Sequence, residues 1–162
     1  MWNTRNLLPK GSQIPKENFT LQGLDGEIYE LHQNKGGVFL YFFTTWCSIC
    51  RMNISNLNNL PVSKEQKNIN VYAVVLDWKN MDEVKNYINK QNLDVPVLLG
   101  LQETARKFRI QAFPTYYVLN DKKNVIHRSV GYSTSLGMLW NYSKMYKEDF
   151  GFHFFSFLFD YI

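Results

Sequence analysis

The sequence is short of cysteine and histidine, and it has no apolar run approaching the length of a membrane span. Two cysteines in 162 residues cannot build the many-bridged framework of a small secreted scaffold. A structural zinc site normally needs four ligands, and His32, His127 and His153 lie too far apart in sequence to join the single cysteine pair. A spanning helix needs roughly 20 apolar residues in succession, which occur nowhere. The first residues also lack the basic segment and apolar run of a signal peptide. The chain therefore reads as soluble, or as part of a longer protein whose upstream anchor has been removed. No internal repeat or low-complexity linker divides it.

What is present suits one domain. With 45% hydrophobic and 16% aromatic residues, the chain can bury a substantial core without staples. The net charge of +4 comes from lysines and arginines scattered among acids and asparagines. That pattern is a solvated surface, and no nucleic-acid partner is expected. Residues 1–17 are polar and interrupted by Pro9, Gly11 and Pro15, so they read as an irregular lead. Residues 18–147 carry the folded pattern. Residues 148–162 form an aromatic tail, too short to cross a bilayer, that reads as a segment packed on its own domain or a poorly ordered terminus.

Within 18–147, Phe19 to Leu31 alternates around Asp25-Gly26, a dipeptide suited to a hairpin turn. The run from Val38 to Phe43 is apolar throughout, as in a strand covered on both faces. Cys50, Ile54 and Leu57 then recur at helical spacing, in a helix whose first turn carries Cys47 and which Pro61 ends. A strand over Ile69 to Leu76 precedes a helix from about Asn80 to Gln91 with a Met81, Val84, Ile88 stripe. A short strand at Val95 to Leu99, a short helix from Glu103 to Phe108 and a strand at Thr115 to Leu119 follow. Asp121 to Asn124 is a polar turn into Val125 to Tyr132, and Leu136, Leu139, Trp140 and Ser143 mark a closing helix. Alternation of this kind predicts an α/β fold: a central mixed β-sheet with helices on both faces and an N-terminal β-hairpin.

The chemistry concentrates in Trp46-Cys47-Ser48-Ile49-Cys50. Disulfide exchange needs one thiolate that attacks and a second thiol that resolves the mixed disulfide before the partner is trapped. Cys-x-x-Cys supplies both. At a helix start, Cys47 faces unpaired N–H groups and the positive end of the helix dipole, which favour its thiolate, and it should be exposed. Cys50, one turn inward, should be less exposed. The alternative is a pair of inert buried cysteines, but a strand leading into Cys-x-x-Cys at a helix start is the arrangement of a redox motif. A second element, Phe113-Pro114-Thr115, stands where a loop feeds a strand.

Together these segments resemble the thioredoxin superfamily in its bacterial TlpA and ResA branch, over residues 11 to 147. Leu24-Asp25-Gly26, Phe42 to Trp46 and Val130 to Gly137 look most like the suppressor of copper sensitivity protein D type. The resemblance implies a thioredoxin fold in which Pro114 is cis and lies across from Cys47. The backbone around Phe113 would pair with an incoming peptide strand, so Trp46, Phe113, Pro114 and Thr115 would be the substrate-binding residues. Cys47 and Cys50 would be the catalytic pair, as nucleophile and resolving thiol. It further implies protein substrates with thiols or disulfides, a periplasmic address, an N-terminal anchor and a membrane-bound redox partner, with no cofactor and no metal. Relatives often keep a Glu three residues after the second cysteine, and thioredoxin has a buried Asp six before the first. Those positions hold Asn53 and Tyr41 here, which leaves no obvious carboxylate to take a proton from Cys50. Asn53 reads as a helix-surface residue.

The expected activity is thus thiol:disulfide oxidoreduction of extracytoplasmic proteins, as reductant or isomerase. An oxidant of the same fold, differing in reduction potential, is one alternative. A Cu(I) metallochaperone is another, weakened by the lack of a nearby Met or His, and a redox-inert interaction module is a third.

Overall fold

The computed structural model describes residues 4–14, 19–61 and 71–147. The aromatic tail, including His153, lies outside the described residues. Seven strands, β1 (Thr20–Gly23), β2 (Ile28–Glu30), β3 (Val38–Phe43), β4 (Val71–Val75), β5 (Val97–Leu99), β6 (Thr115–Leu119) and β7 (Val125–Val130), form one sheet in the order β2-β1-β5-β4-β3-β6-β7. β3, β4 and β5 run parallel, while β6, β7, β1 and β2 join antiparallel. The helices are α1 (Ser48–Asn53), α2 (Met81–Gln91), α3 (Gln102–Lys107) and α4 (Ser135–Lys147).

β3 is central, and all six of its residues are fully buried. Strand side chains alternate between faces, so its residues divide between two cores. Phe39, Tyr41 and Phe43 meet Ile54, Leu57, Val84, Met138 and Tyr142 from the α1, α2 and α4 side. Val38, Leu40 and Phe42 meet Phe108 at the end of α3, together with Leu7, Ile14 and Phe19 from the N-terminal segment. Burial of each large apolar side chain stabilises the fold by about 1.5 to 3 kcal/mol, which is why an unbroken apolar run settles at the centre of the sheet. The expected mixed sheet covered on both faces, with an N-terminal hairpin, is what forms. Gly26 turns that hairpin with φ of +87°, a conformation open to glycine at little cost.

Three features depart from the sequence expectation or were left open by it. α4 does not bury Leu136, Leu139 and Trp140, which are 78%, 39% and 62% exposed. The inward stripe is Met138, Tyr142 and Met145, at equally good helical spacing. Backbone geometry beneath the helix decides the choice. A Cβ on Gly37 would come within 2.7 Å of the Met145 sulfur, so the glycine admits a close approach that Met fills with its flexible thioether. Tyr142 also reaches the Pro61 carbonyl with its hydroxyl at 2.9 Å. In the turn before β7, Lys123 is buried, and its ammonium donates to the carbonyls of Asn34, Gly36 and Asp121 at 2.9, 2.8 and 3.0 Å. Burial lowers its pKa. Finally, the helix after the cysteines stays α-helical only to Asn53 and continues as a 3₁₀ helix over Ile54–Asn59.

Candidate functional site

Sheet register gathers the site at one end of the molecule. Phe42 of β3 pairs with Thr115 of β6, and Thr115 pairs with Val130 of β7. The segment leaving β3 towards Cys47, the Phe113–Pro114 segment entering β6 and residues 131–135 leaving β7 therefore emerge side by side. The Phe113–Pro114 peptide bond is cis, and the Gly131 N–H donates to the Pro114 carbonyl at 2.8 Å.

Cys47 and Cys50 are joined as a disulfide. Cys47 occupies the N-cap position of α1 with extended backbone, and its Sγ accepts from the Cys50 N–H at 3.2 Å. That contact is the kind of donation that stabilises sulfur carrying negative charge. Cys47 is only 8% exposed, against the exposed sulfur expected from the sequence, although Cys50 at 0% is still the more buried. The flanking residues explain this. Thr45 is buried before Cys47, and the first core closes over the helix start.

Trp46 is the exposed member of the group at 61%. Its indole N–H donates to Asp77 Oδ2 at 3.0 Å, and its ring meets Phe113 edge-on at 5.9 Å between centroids. The residue before Cys47 thus touches the residue before Pro114. Thr115 is fully buried, with its hydroxyl donating to the Ala112 carbonyl at 2.9 Å, so it ties down the loop from within. All six site residues singled out from the sequence fall in this region.

Sequence reasoning misplaced Asn53. It is fully buried, and it is bonded to Tyr41: the Tyr41 hydroxyl donates to Asn53 Oδ1 at 3.1 Å. The two positions at which the resemblance pointed to carboxylates are therefore in direct contact here as a neutral pair. Burial holds the Tyr41 hydroxyl protonated well above its ordinary range, with Tyr87 and Tyr116 adding to the effect. Asn53 Nδ2 in turn donates to the Ser133 carbonyl at 2.5 Å. Asn56 donates to the same carbonyl at 3.2 Å, and Asn59 to Ser135 Oγ at 3.0 Å. A 3₁₀ helix has three residues per turn, so Asn53, Asn56 and Asn59 stack on one face and fasten the cysteine helix to the start of α4. Asn58 faces the other way, donating to the Asn92 carbonyl at 2.7 Å. The signal in the sequence was the spacing of three between these asparagines, a period foreign to the α-helix that was expected.

Among the described residues no three His, Cys, Asp or Glu side chains come together as a metal site. Chemically, the arrangement can do one thing well. It presents an exchangeable disulfide at a helix start, beside an aromatic shelf and the loop that carries Pro114.

Comparison with known proteins agrees with this geometry. A family model described as AhpC/TSA family matches residues 11–128. Thiol-disulfide oxidoreductase ResA of Bacillus thuringiensis is 31% identical over 126 residues, covering 75% of this chain and 72% of that protein. Among solved structures, a thiol:disulfide interchange protein of the thioredoxin family from Chlorobium tepidum superposes with a TM-score of 0.69 at 21% identity, over 85% of this chain and 98% of its own. The exposed lipoprotein thioredoxin of Streptococcus pneumoniae gives 0.64 at 24% identity, over 78% and 98%. At these identities the two structures speak for the fold alone.

Proposed function

The chain belongs to the AhpC/TSA family of thioredoxin-like proteins and is a thiol:disulfide oxidoreductase of the ResA type; from that premise, we propose that it reduces or isomerises disulfides in proteins outside the cytoplasm. Cys47 attacks the substrate disulfide, forms the mixed disulfide and releases one substrate thiolate. Cys50 then attacks the Cys47 sulfur, freeing the second substrate thiolate and closing the Cys47–Cys50 disulfide. Two electrons pass to the substrate, and a thiol reductant must restore the pair. The observation that carries this reading is the Cys47–Cys50 disulfide at the start of α1, on the same edge as the cis Phe113–Pro114 segment.

The order of attack is supported by burial, since Cys47 retains some surface and Cys50 none. Trp46, Phe113 and Pro114 receive the substrate backbone, and Thr115 supports them by holding the loop at Ala112. The extracytoplasmic address rests on the likeness to the ResA-type oxidoreductases. No helix among the described residues is long and apolar enough to cross a membrane. Anchorage and a membrane-bound reductant belong to this proposal through the resemblance to the ResA branch alone.

Equilibration with glutathione buffers, read by mass spectrometry, tests the proposal. A chain that gains and loses two hydrogens reversibly, with a midpoint more reducing than the glutathione couple, fits a reductant. A midpoint well on the oxidising side would make it a disulfide-forming oxidant, and failure to cycle would defeat the reading.

A further inference from the structure

Beside the disulfide, a groove of about 460 Å³ opens between the start of α1 and the outer face of α2. Trp46, Arg51, Glu83, Tyr87, Lys90 and Gln91 line it. Thr45 and Trp46, just before Cys47, and Arg51, just after Cys50, belong to its walls, so a chain whose cysteine engages Cys47 has neighbouring residues within reach of it. The cations in the groove are unspent: neither Arg51 nor Lys90 forms an ion pair among the described residues. The one carboxylate of the lining, Glu83, is held in place by neutral donors and keeps its charge. Glu83 Oε1 accepts from the Thr45 hydroxyl at 2.5 Å, and Oε2 from the Lys79 N–H at 3.1 Å. The Thr45 hydroxyl, the Lys79 N–H and the Lys79 charge hold the Glu83 carboxyl below its ordinary range. Asp77, the other acid near Trp46, is bonded to the indole N–H and does not line the groove.

The Tyr87 ring backs the groove: it stacks on Phe43 at 5.5 Å, and its hydroxyl is buried away from the opening. Burial pushes that hydroxyl up to about 12, with the Arg51 charge acting against the shift. Arg51 and Lys90 against Glu83 leave the lining with a net charge of +1 next to a reactive disulfide, which favours an anion.

We propose that this groove receives an acidic side chain of the partner polypeptide, close in sequence to the cysteine it exchanges, and that Arg51 and Lys90 make the protein selective for cysteines in acidic surroundings. The inference rests on the disulfide exchange set out above and specifies its substrate class. Partly exposed charge pairs of this kind shift rates modestly, so the expected preference is about three- to tenfold in kcat/KM at low ionic strength.

The test uses the reduced full chain and two peptide disulfides that differ only in carrying Glu or Lys beside their cysteine. Cys47 attacks the peptide disulfide and releases one peptide thiolate; Cys50 then attacks the Cys47 sulfur, frees the second peptide thiolate and leaves the protein oxidised. Each rate is divided by that peptide disulfide's rate with dithiothreitol, which removes differences in intrinsic disulfide reactivity. The normalised ratio should favour the Glu peptide about three- to tenfold and shrink as ionic strength rises from 0.1 M to 1 M, where the screening length falls from about 10 Å to about 3 Å. It should approach unity in the Arg51→Gln, Lys90→Gln double variant and persist in Lys122→Gln, on the distant turn before β7. No preference in the wild-type protein, or one that survives the double variant, overturns the assignment. If neither peptide disulfide is reduced while the reduced protein still reduces hydroxyethyl disulfide, the groove assignment falls and the disulfide chemistry stands. Resistance to dithiothreitol overturns the proposed function, and the groove's role with it.

Discussion

Replacing Asn53 by Ala separates a surface asparagine from a buried hydrogen-bonding node, because the two readings differ in sign. Alanine is the better helix former by about half a kcal/mol, so on a helix surface the substitution would leave stability unchanged or raise it slightly. In the structure, Asn53→Ala leaves the buried Tyr41 hydroxyl without its acceptor, at a cost of about 1 to 3 kcal/mol. It also removes the shorter of the two donations to the Ser133 carbonyl, a net loss of about 0.5 to 1.5 kcal/mol, since Asn56 remains at 3.2 Å. The expected loss is about 2 to 4 kcal/mol. Urea unfolding of the oxidised protein measures it. With an m-value of about 2 kcal/mol per M, the midpoint should fall by about 1 to 2 M. Tyr41→Phe removes the same bond from the other side, so the two losses should not add, and a double-mutant cycle should give a coupling of about 1 kcal/mol. A midpoint equal to or above wild type in Asn53→Ala, or strict additivity with Tyr41→Phe, refutes the reasoning.

The cysteine pair and the one strongly perturbed histidine give further checks. In the reduced protein, iodoacetamide should label Cys47 before Cys50, as their burial implies; peptide mapping after partial labelling that finds Cys50 first would reverse the assigned roles. Cys50→Ala should accumulate mixed disulfides with protein thiols through Cys47, whereas Cys47→Ala should trap few; equal trapping on non-reducing gels would remove the proposed asymmetry. His127 is half-buried, and burial, aided by the charges of Lys144, Lys10 and Arg128, lowers its pKa from 6.5 to about 4. The unfolded chain then takes up a proton between pH 6.5 and 4 that the folded chain refuses, so stability is present above that window and is lost as pH falls through it. The full shift corresponds to about 3 kcal/mol, and water around the ring reduces this to about 1 to 2. His127→Gln should flatten the unfolding free energy against pH by that amount, and parallel profiles for the two proteins would show that the ring titrates normally.

How far the sequence could be read varied with the kind of signal. β3 and β6 were recoverable nearly residue by residue, because an apolar run of strand length has only one burial solution at the centre of a sheet. α4 was recoverable as a helix, but which of its faces turns inward was not. Its two apolar stripes fit the helical period equally well, and the Gly37 backbone that admits Met145 is about a hundred residues away in sequence. Lys123 and Asn53 were assigned to solvent by their polarity, yet both are buried because each finds partners distant in sequence: three carbonyls for the lysine, Tyr41 and Ser133 for the asparagine.

By itself, then, the sequence determined the succession of strands and helices, the two sulfurs and the segment around Pro114. These rest on local periodicity, on spacing and on the side chains' own chemistry. The tertiary structure alone decided that the segments before Cys47, before Thr115 and after Val130 share one edge, which follows from sheet register. It also decided that Arg51 and Lys90 line one groove and that an asparagine ladder joins α1 to α4. Such contacts join residues far apart along the chain, and no local preference encodes them, because their energies exist only once the core has brought the partners together.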